Sequence, residues 1–265
     1  MAFLKYHGRT ICYRLLGNSS KPLLVMAHPL GMTQGVWDGV IPQLLSQFRI
    51  LTWDLPGHGG SAAWPKNSNE ITPEDLAQEA LVLAEAAGID TFHFVGTSIG
   101  GVIGQQLLAK HAHSLASAVL TNTGAVIGTR DAWNTRSTDV LQKGLSVMAA
   151  TITPRWFGAE TLRQQPALVE GWSIIMGRGD DYSYALLCEM LGKCDFREQL
   201  SNRKTPLTLV GGSDDIATPP QTLQTLAQCS GTGAPIILER VGHVPSIENP
   251  EQFSRILLGA VDIFA

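Results

Sequence analysis

The sequence predicts an α/β fold: a mostly parallel central sheet with helices on both faces and one helical insertion. Three observations predict it. Short apolar runs recur and end in loops rich in Gly and Pro, as buried parallel strands do. Stretches with helical spacing alternate with those runs, as crossover connections require. The alternation stops near residue 125 and resumes near residue 204.

The elements follow in order. FLKYHGRTICYRLL (3–16), with a glycine in its middle, reads as a hairpin. PLLVMAH (22–28) and RILTWD (49–54) are strands, and VWDGVIPQLLSQF (36–48) between them has helical spacing. TPEDLAQEALVLAEAAG (72–88) is a helix with its signals in place. Thr72 caps it, Pro73 suits its first position, Glu74 and Asp75 favour the dipole, and Gly88 stops it. TFHFV (91–95) is a strand, GVIGQQLLAKH (101–111) a helix and LASAVLTN (115–122) a strand. The rhythm returns with strand TPLTLVGG (205–212), a helix from Pro219 to Gln228, strand PIILERV (235–241) and a helix from Asn249 to Phe264. Residues 125–203 carry Trp133, Trp156, Trp172 and many arginines on helical patterns without a convincing strand. The expected organisation is a core of 1–124 and 204–265, with 125–203 as a helical cap over the sheet.

Composition narrows the function. The 265-residue chain is long enough to bury a sizeable core, and its formal net charge of −4 gives no electrostatic footprint for nucleic acid. No run approaches the roughly 18 apolar residues of a membrane span. MAFLKYHGRT meets Lys5 before any apolar stretch long enough for a secretion signal, so a cytoplasmic protein is expected. Cys12, Cys188, Cys194 and Cys229 are scattered, without Cys-x-x-Cys or Cys/His metal spacing. Free thiols and no metal are expected.

The chemistry-bearing motif is Gly96-Thr97-Ser98-Ile99-Gly100, a Gly-x-Ser-x-Gly between a predicted strand and a predicted helix. In that context it is a nucleophile elbow: the glycines let strand and helix close in while the serine takes a strained backbone conformation and presents its hydroxyl. A hydroxyl needs a base. His111 and His113 lie at the far end of the helix that begins near Ser98, which leaves His243, in the loop after strand 235–241. The acid should follow the preceding strand, where GGSDDIATPP offers Asp214 and Asp215. Spacing from Gly212 favours Asp215, Asp214 stays a second choice, and Asp180 and Asp195 in the insertion are weaker. Amide donors for the oxyanion are expected at Ile99 and in HPLGM, where Pro29 has no N–H and Leu30 is the best candidate. His28 and His58 precede the elbow and read as loop-shaping residues, and His93 as a core residue.

On HPLG, DLPGHGGS, GTSIGG, GGSDDIATPP and VGHVPSIENPEQF, in that order, the chain resembles the α/β-hydrolase superfamily over nearly its whole length. TNTGAVIG, DAWNTR, RWF (155–157) and SYALLCEMLGKCDFRE (183–198) make it most similar to the 3-oxoadipate enol-lactonases. The resemblance implies a triad of Ser98, Asp215 and His243, an oxyanion hole from the Ile99 and Leu30 amides, and no metal or organic cofactor. It also implies ring-opening hydrolysis of a small enol-lactone bearing a carboxylate, in aromatic catabolism by the β-ketoadipate route. A carboxylate wants a cation in the cap; Arg136 and Arg130, flanking Trp133, are the candidates, with Trp133 and Trp156 as pocket walls. The expected partner is a small lactone or ester, with no nucleic acid and no membrane; a homo-oligomer is compatible with the sequence. The alternatives are another carboxylesterase or C–C bond hydrolase of this fold, or a ligand-binding receptor with weak hydrolysis.

Overall fold

A computed structural model describes residues 1–201 and 203–262. Eight strands, β1 (Ala2–Tyr6), β2 (Arg9–Leu16), β3 (Leu23–Ala27), β4 (Arg49–Trp53), β5 (Phe92–Thr97), β6 (Leu115–Thr121), β7 (Leu207–Gly212) and β8 (Ile236–Leu238), form one sheet in the order β1-β2-β4-β3-β5-β6-β7-β8. The pairs β1·β2 and β2·β4 are antiparallel, and every other neighbouring pair is parallel. β3 is apolar and buried along its whole length, as a strand covered on both faces must be. The expected hairpin is β1–β2. Its two turn residues, His7 and Gly8, both have positive φ, which matches the twist of the flanking strands.

Helices α1 (Ile41–Leu44), α2 (Pro73–Ala86) and α3 (Ile99–Lys110) alternate with the strands of the first half. Between β6 and β7 come α4 (Arg130–Lys143), α5 (Leu145–Ile152), α6 (Ala159–Gln164), α7 (Pro166–Met176) and α8 (Asp181–Lys193), with no strand among the described residues there. α9 (Pro220–Ser230), α10 (Pro245–Glu248) and α11 (Pro250–Asp262) close the chain. The last two residues of the expected final helix, Ile263 and Phe264, lie outside the described residues. α2 carries the foreseen capping: the Thr72 hydroxyl accepts from the Asp75 N–H, and the Asp75 carboxylate accepts from the Thr72 N–H.

Two expected elements differ. The helix over 36–48 is only a 3₁₀ turn (Gln34–Trp37) followed by the single-turn α1. Pro42 has no N–H to give the Asp38 carbonyl, so the helix cannot run back through it. The strand over 235–241 shrinks to β8, because Arg240 turns to φ 60° and its N–H goes to the Ser213 hydroxyl rather than to a strand. Cys12 and Cys188 are buried, Cys194 and Cys229 are half-buried, and all four are free thiols.

Candidate active site

Ser98 stands between β5 and α3 with φ 60° and ψ −116°, a conformation that costs an L-residue strain. The glycines around it are there for contact. A Cβ at Gly96 would run into the Gly100 carbonyl, one at Gly100 into the Ala27 carbonyl, and one at Gly101 into the Thr123 side chain. Only bare backbone lets α3 begin this close to the sheet. Because α3 starts at Ile99, the Ile99 N–H is among the first amides of a helix, which have no partner inside it.

His243 and Asp215 meet from separate loops. His243 Nδ1 lies 2.9 Å from Asp215 Oδ2, and both residues are buried. Asp215 Oδ2 also accepts from Thr218 Oγ1 (2.6 Å) and Asn122 Nδ2 (2.9 Å), while Oδ1 accepts from the N–H groups of Ala217 (2.8 Å) and Thr218 (3.0 Å). Burial pushes this carboxyl up, but the His243 charge and the hydrogen bonds from His243 and Thr218 outweigh it and hold it at about 2. Asp215 is therefore anionic at neutral pH and, as an acceptor only, calls for a proton on the facing His243 Nδ1. Asp214 faces elsewhere: its Oδ1 accepts from the Ser213 hydroxyl. Asp180 caps α8 and Asp195 pairs with Arg197, so neither is at hand. His111 pairs with Glu74, and the half-buried His93 bonds the Ser117 hydroxyl.

One cavity of about 160 Å³ is lined by Ser98, His243, Leu30, Thr218 and, from the helical insertion, Trp133, Arg136, Arg155, Trp156 and Tyr184. Ser98 and His243 thus share a cavity with three of the four insertion residues expected there. Arg130 does not line the cavity. It opens α4 on the exposed side, with its backbone against Gly192, six residues before Arg136 and so about 120° from it around the helix axis. Arg155 takes its place as the second cation, exposed at the mouth. The Arg136 guanidinium sits 5.0 Å over the Trp133 ring, whose Nε1 donates to the Ile127 carbonyl.

Three further residues organise the site without having stood out in the sequence. Thr218 and Asn122 hold Asp215, and Asn122 Nδ2 also donates to the Gly242 carbonyl beside His243. The Glu248 carboxylate accepts from the Gly242 N–H on one oxygen, and from the Gly158 N–H and the Thr161 hydroxyl on the other. It therefore ties the histidine loop to the start of α6, and the His243 N–H donates to the Trp156 carbonyl of the same insertion. Only the position of Glu248, shortly after the histidine, hinted at such a part. Among the described residues no group of three or more His, Cys, Asp or Glu side chains is arranged to hold a metal ion, and no helix is long and apolar enough to cross a membrane.

Residues 24–256 match the model of the alpha/beta hydrolase family. The chain is 29% identical to 3-oxoadipate enol-lactonase 1 of Acinetobacter baylyi, over 96% of this chain and 94% of that protein. It is 26% identical to the pimeloyl-[acyl-carrier protein] methyl ester esterase of Aeromonas hydrophila, over 89% and 94%. Among solved structures, the enol-lactonase from Burkholderia xenovorans LB400 superposes with a TM-score of 0.92 at 28% identity, covering 98% of this chain and all of that one.

Proposed function

The chain belongs to the alpha/beta hydrolase family and is a hydrolase of carboxylic esters, and from that premise we propose that its substrate is a small enol-lactone bearing a carboxylate, such as 3-oxoadipate enol-lactone, opened through an acyl-enzyme on Ser98. The observation that carries the substrate class is the charge of the cavity wall. Arg136 and Arg155 line it, and none of the lining residues is Asp or Glu. An anionic substrate gains two guanidinium partners there and meets no like charge. The similarity to enol-lactonases over nearly the full chain supports the same reading.

In this mechanism the Ser98 hydroxyl gives its proton to His243 Nε2 as its oxygen attacks the lactone carbonyl. Asp215 keeps the imidazole oriented and stabilises the imidazolium. The carbonyl oxygen, now negative, receives the N–H groups of Ile99 and Leu30. Collapse breaks the ring C–O bond. The departing oxygen leaves as an enolate, stabilised by the adjoining double bond, and takes up the proton held on His243 to give the enol, which restores the neutral imidazole. Water, deprotonated by His243, then attacks the acyl carbon and releases Ser98 with a second carboxylate on the product.

The test is steady-state hydrolysis of 3-oxoadipate enol-lactone beside neutral lactones and p-nitrophenyl esters, with Ser98→Ala as the blank. Fast turnover of the acidic lactone, falling by roughly 10⁴-fold or more in a variant with unchanged circular dichroism, is the expected result. Turnover confined to neutral esters would remove the lactone assignment. Residual rates near wild type in Ser98→Ala would remove the acyl-enzyme, and absence of turnover on every substrate would favour a receptor.

A further inference from the structure

Two fully buried histidines outside the triad, His28 and His58, face each other across the loop that carries Leu30. Their rings are 5.5 Å apart. His28, at the end of β3, accepts the Leu55 N–H on Nε2 at 3.0 Å and reaches the Pro29 carbonyl with Nδ1 at 2.8 Å. His58, in the loop after β4, accepts the Gly31 N–H on Nε2 at 3.0 Å and reaches the Pro56 carbonyl with Nδ1 at 2.8 Å. Each loop thus donates an amide to the other loop's imidazole.

Backbone chemistry fixes the protonation of both rings. An amide N–H can only donate, so the nitrogen facing it must carry a lone pair. A carbonyl can only accept, so the other nitrogen must carry the hydrogen. Both rings are therefore neutral, with the proton on Nδ1. Their burial agrees: it pushes His28 below its ordinary range, and it takes His58 down to about 4 with the like charge of His28 assisting, against the pull of the Pro56 carbonyl, Asp54 and Asp180.

These four bonds bracket one amide. The Pro29 carbonyl and the Leu30 N–H belong to the same peptide unit, and a planar trans peptide points them in opposite directions. Holding the Pro29 oxygen on His28 Nδ1 consequently aims the Leu30 N–H the other way, and Leu30 lines the cavity with Ser98. The next peptide unit is held by its Gly31 N–H on His58. Farther along, the Asp54 carboxylate accepts from the Gln34 N–H and side-chain amide and from the Gly60 N–H, so the loop is tied down at both ends. Gly31 has φ 83°, a conformation that L side chains rarely adopt, and a Cβ there would lie only 3.1 Å from the Trp156 ring. The His58 ring stacks on Tyr184 of α8, and the Gly57 carbonyl accepts the Asp180 N–H.

We propose that His28 and His58 are positioning residues of the oxyanion hole, a reciprocal pair of neutral imidazoles that fixes the two peptide units flanking Leu30 and thereby aims its N–H at the reacting carbonyl. This rests on the reading above that the Leu30 amide receives the oxyanion. Neither ring touches substrate or exchanges a proton in the cycle.

The experiment separates aiming from mere stability. In His58→Gln a side-chain oxygen reaches the Nε2 position and keeps an acceptor for Gly31. In His58→Asn the shorter side chain serves Pro56 and leaves Gly31 without its partner. With a neutral aryl ester as substrate, His58→Asn is expected to lower kcat roughly 10- to 100-fold, less than the 10²–10³ of losing a donor outright, with KM nearly unchanged. The inhibition constant of a trifluoromethyl ketone, whose Ser98 adduct carries an oxyanion, should rise by the same factor, while that of a planar carboxylate product stays put. His58→Gln should recover most of both losses. Equal losses in the two variants, or a kcat loss without weaker ketone binding, would overturn the proposal. Long-range ¹H–¹⁵N spectra of the wild-type protein at pH 7 test it even if both variants misfold: both rings should show protonated Nδ1 and bare Nε2, and an Nε2–H tautomer or an imidazolium at either would overturn it. The aryl ester makes the outcome independent of the lactone assignment, and Ser98→Ala, run in parallel, reports separately on the acyl-enzyme.

Discussion

The two walls of the cavity are built by opposite means. On the strand-end wall polar groups are held several times over. Asp215 accepts five hydrogen bonds, from His243, Asn122, Ala217 and, twice, Thr218. The Glu248 carboxylate fastens three donors, and the His28–His58 pair fastens two loops. On the helical wall the polar side chains are long and sparsely tied. Arg136 lies over Trp133, Arg155 is exposed, and neither makes an ion pair among the described residues. This suits the proposed roles: groups that exchange protons or receive developing charge lose rate when displaced by an ångström. A wall that selects substrate needs matching charge and shape more than fixed position.

The sharpest way to break this contrast is at the paired aspartates. Asp215→Asn should cut kcat by roughly 10³- to 10⁴-fold, since His243 would lose its anionic partner and its tautomer. Asp214→Asn should stay within about threefold, because Asp214 bonds only at the rim of the loop. Equal losses would mean that the strand-end wall does not depend on the Asp215 network.

The helical wall should respond in KM. Arg155→Ala and Arg136→Ala are each expected to raise KM for the acidic lactone roughly 10-fold or more, the loss of one charge-assisted contact, while KM for a neutral ester hardly moves. Arg130→Ala is the control and should leave both substrates nearly unchanged. A comparable rise for neutral and acidic substrates would reject the carboxylate-binding role.

Glu248 joins the two walls, so its substitution tests whether they are coupled. Glu248→Gln places an NH₂ against at least one of the donors it now serves and should cost about 1–3 kcal/mol of stability, read as a lower melting temperature. A drop in kcat of a few-fold should accompany it as the Gly242–His243 loop loosens. Loss of stability with kcat untouched would show that the walls are independent.

The last effect leaves activity at neutral pH alone and falls on acid tolerance. The folded protein holds His58 neutral down to about 4, while the unfolded chain takes up its proton near the ordinary value of 6.5. Stability from this group is therefore complete above 6.5 and drains away as the pH falls toward 4. Asp215, held at about 2 against an ordinary 3.8, adds a second loss only below 3.8. Melting temperatures taken from pH 7.5 to 4 should fall for the wild type and fall less for His58→Gln, relative to each protein's own value at pH 7.5. Parallel curves would show that His58 is not the group being titrated.

Much of this molecule was legible in its sequence. The hairpin turn, the α2 cap and the elbow glycines are local matters, decided within a few residues by backbone geometry, and the structure carries all three. The alternation of strands and helices carried the fold class, because burial on both faces of a parallel sheet leaves an apolar run that no other element needs. Reading went astray where a local pattern met a distant neighbour. The helical spacing of 36–48 is real, yet Pro42 breaks it and leaves a 3₁₀ turn and a single helical turn.

What the sequence singled out by itself was Ser98 on its elbow, His243 by elimination, and an acid narrowed to Asp214 or Asp215. Tertiary structure alone brought Asp215 rather than Asp214 to His243, joined Asn122 to Asp215 across 93 residues and Gly158 to Glu248 across 90, and replaced Arg130 by Arg155 at the cavity. The physical reason is range. Strain, capping and periodicity act within a turn or two of chain, whereas a hydrogen bond or a cavity wall depends on which loops the packed sheet brings within about 3 Å of one another.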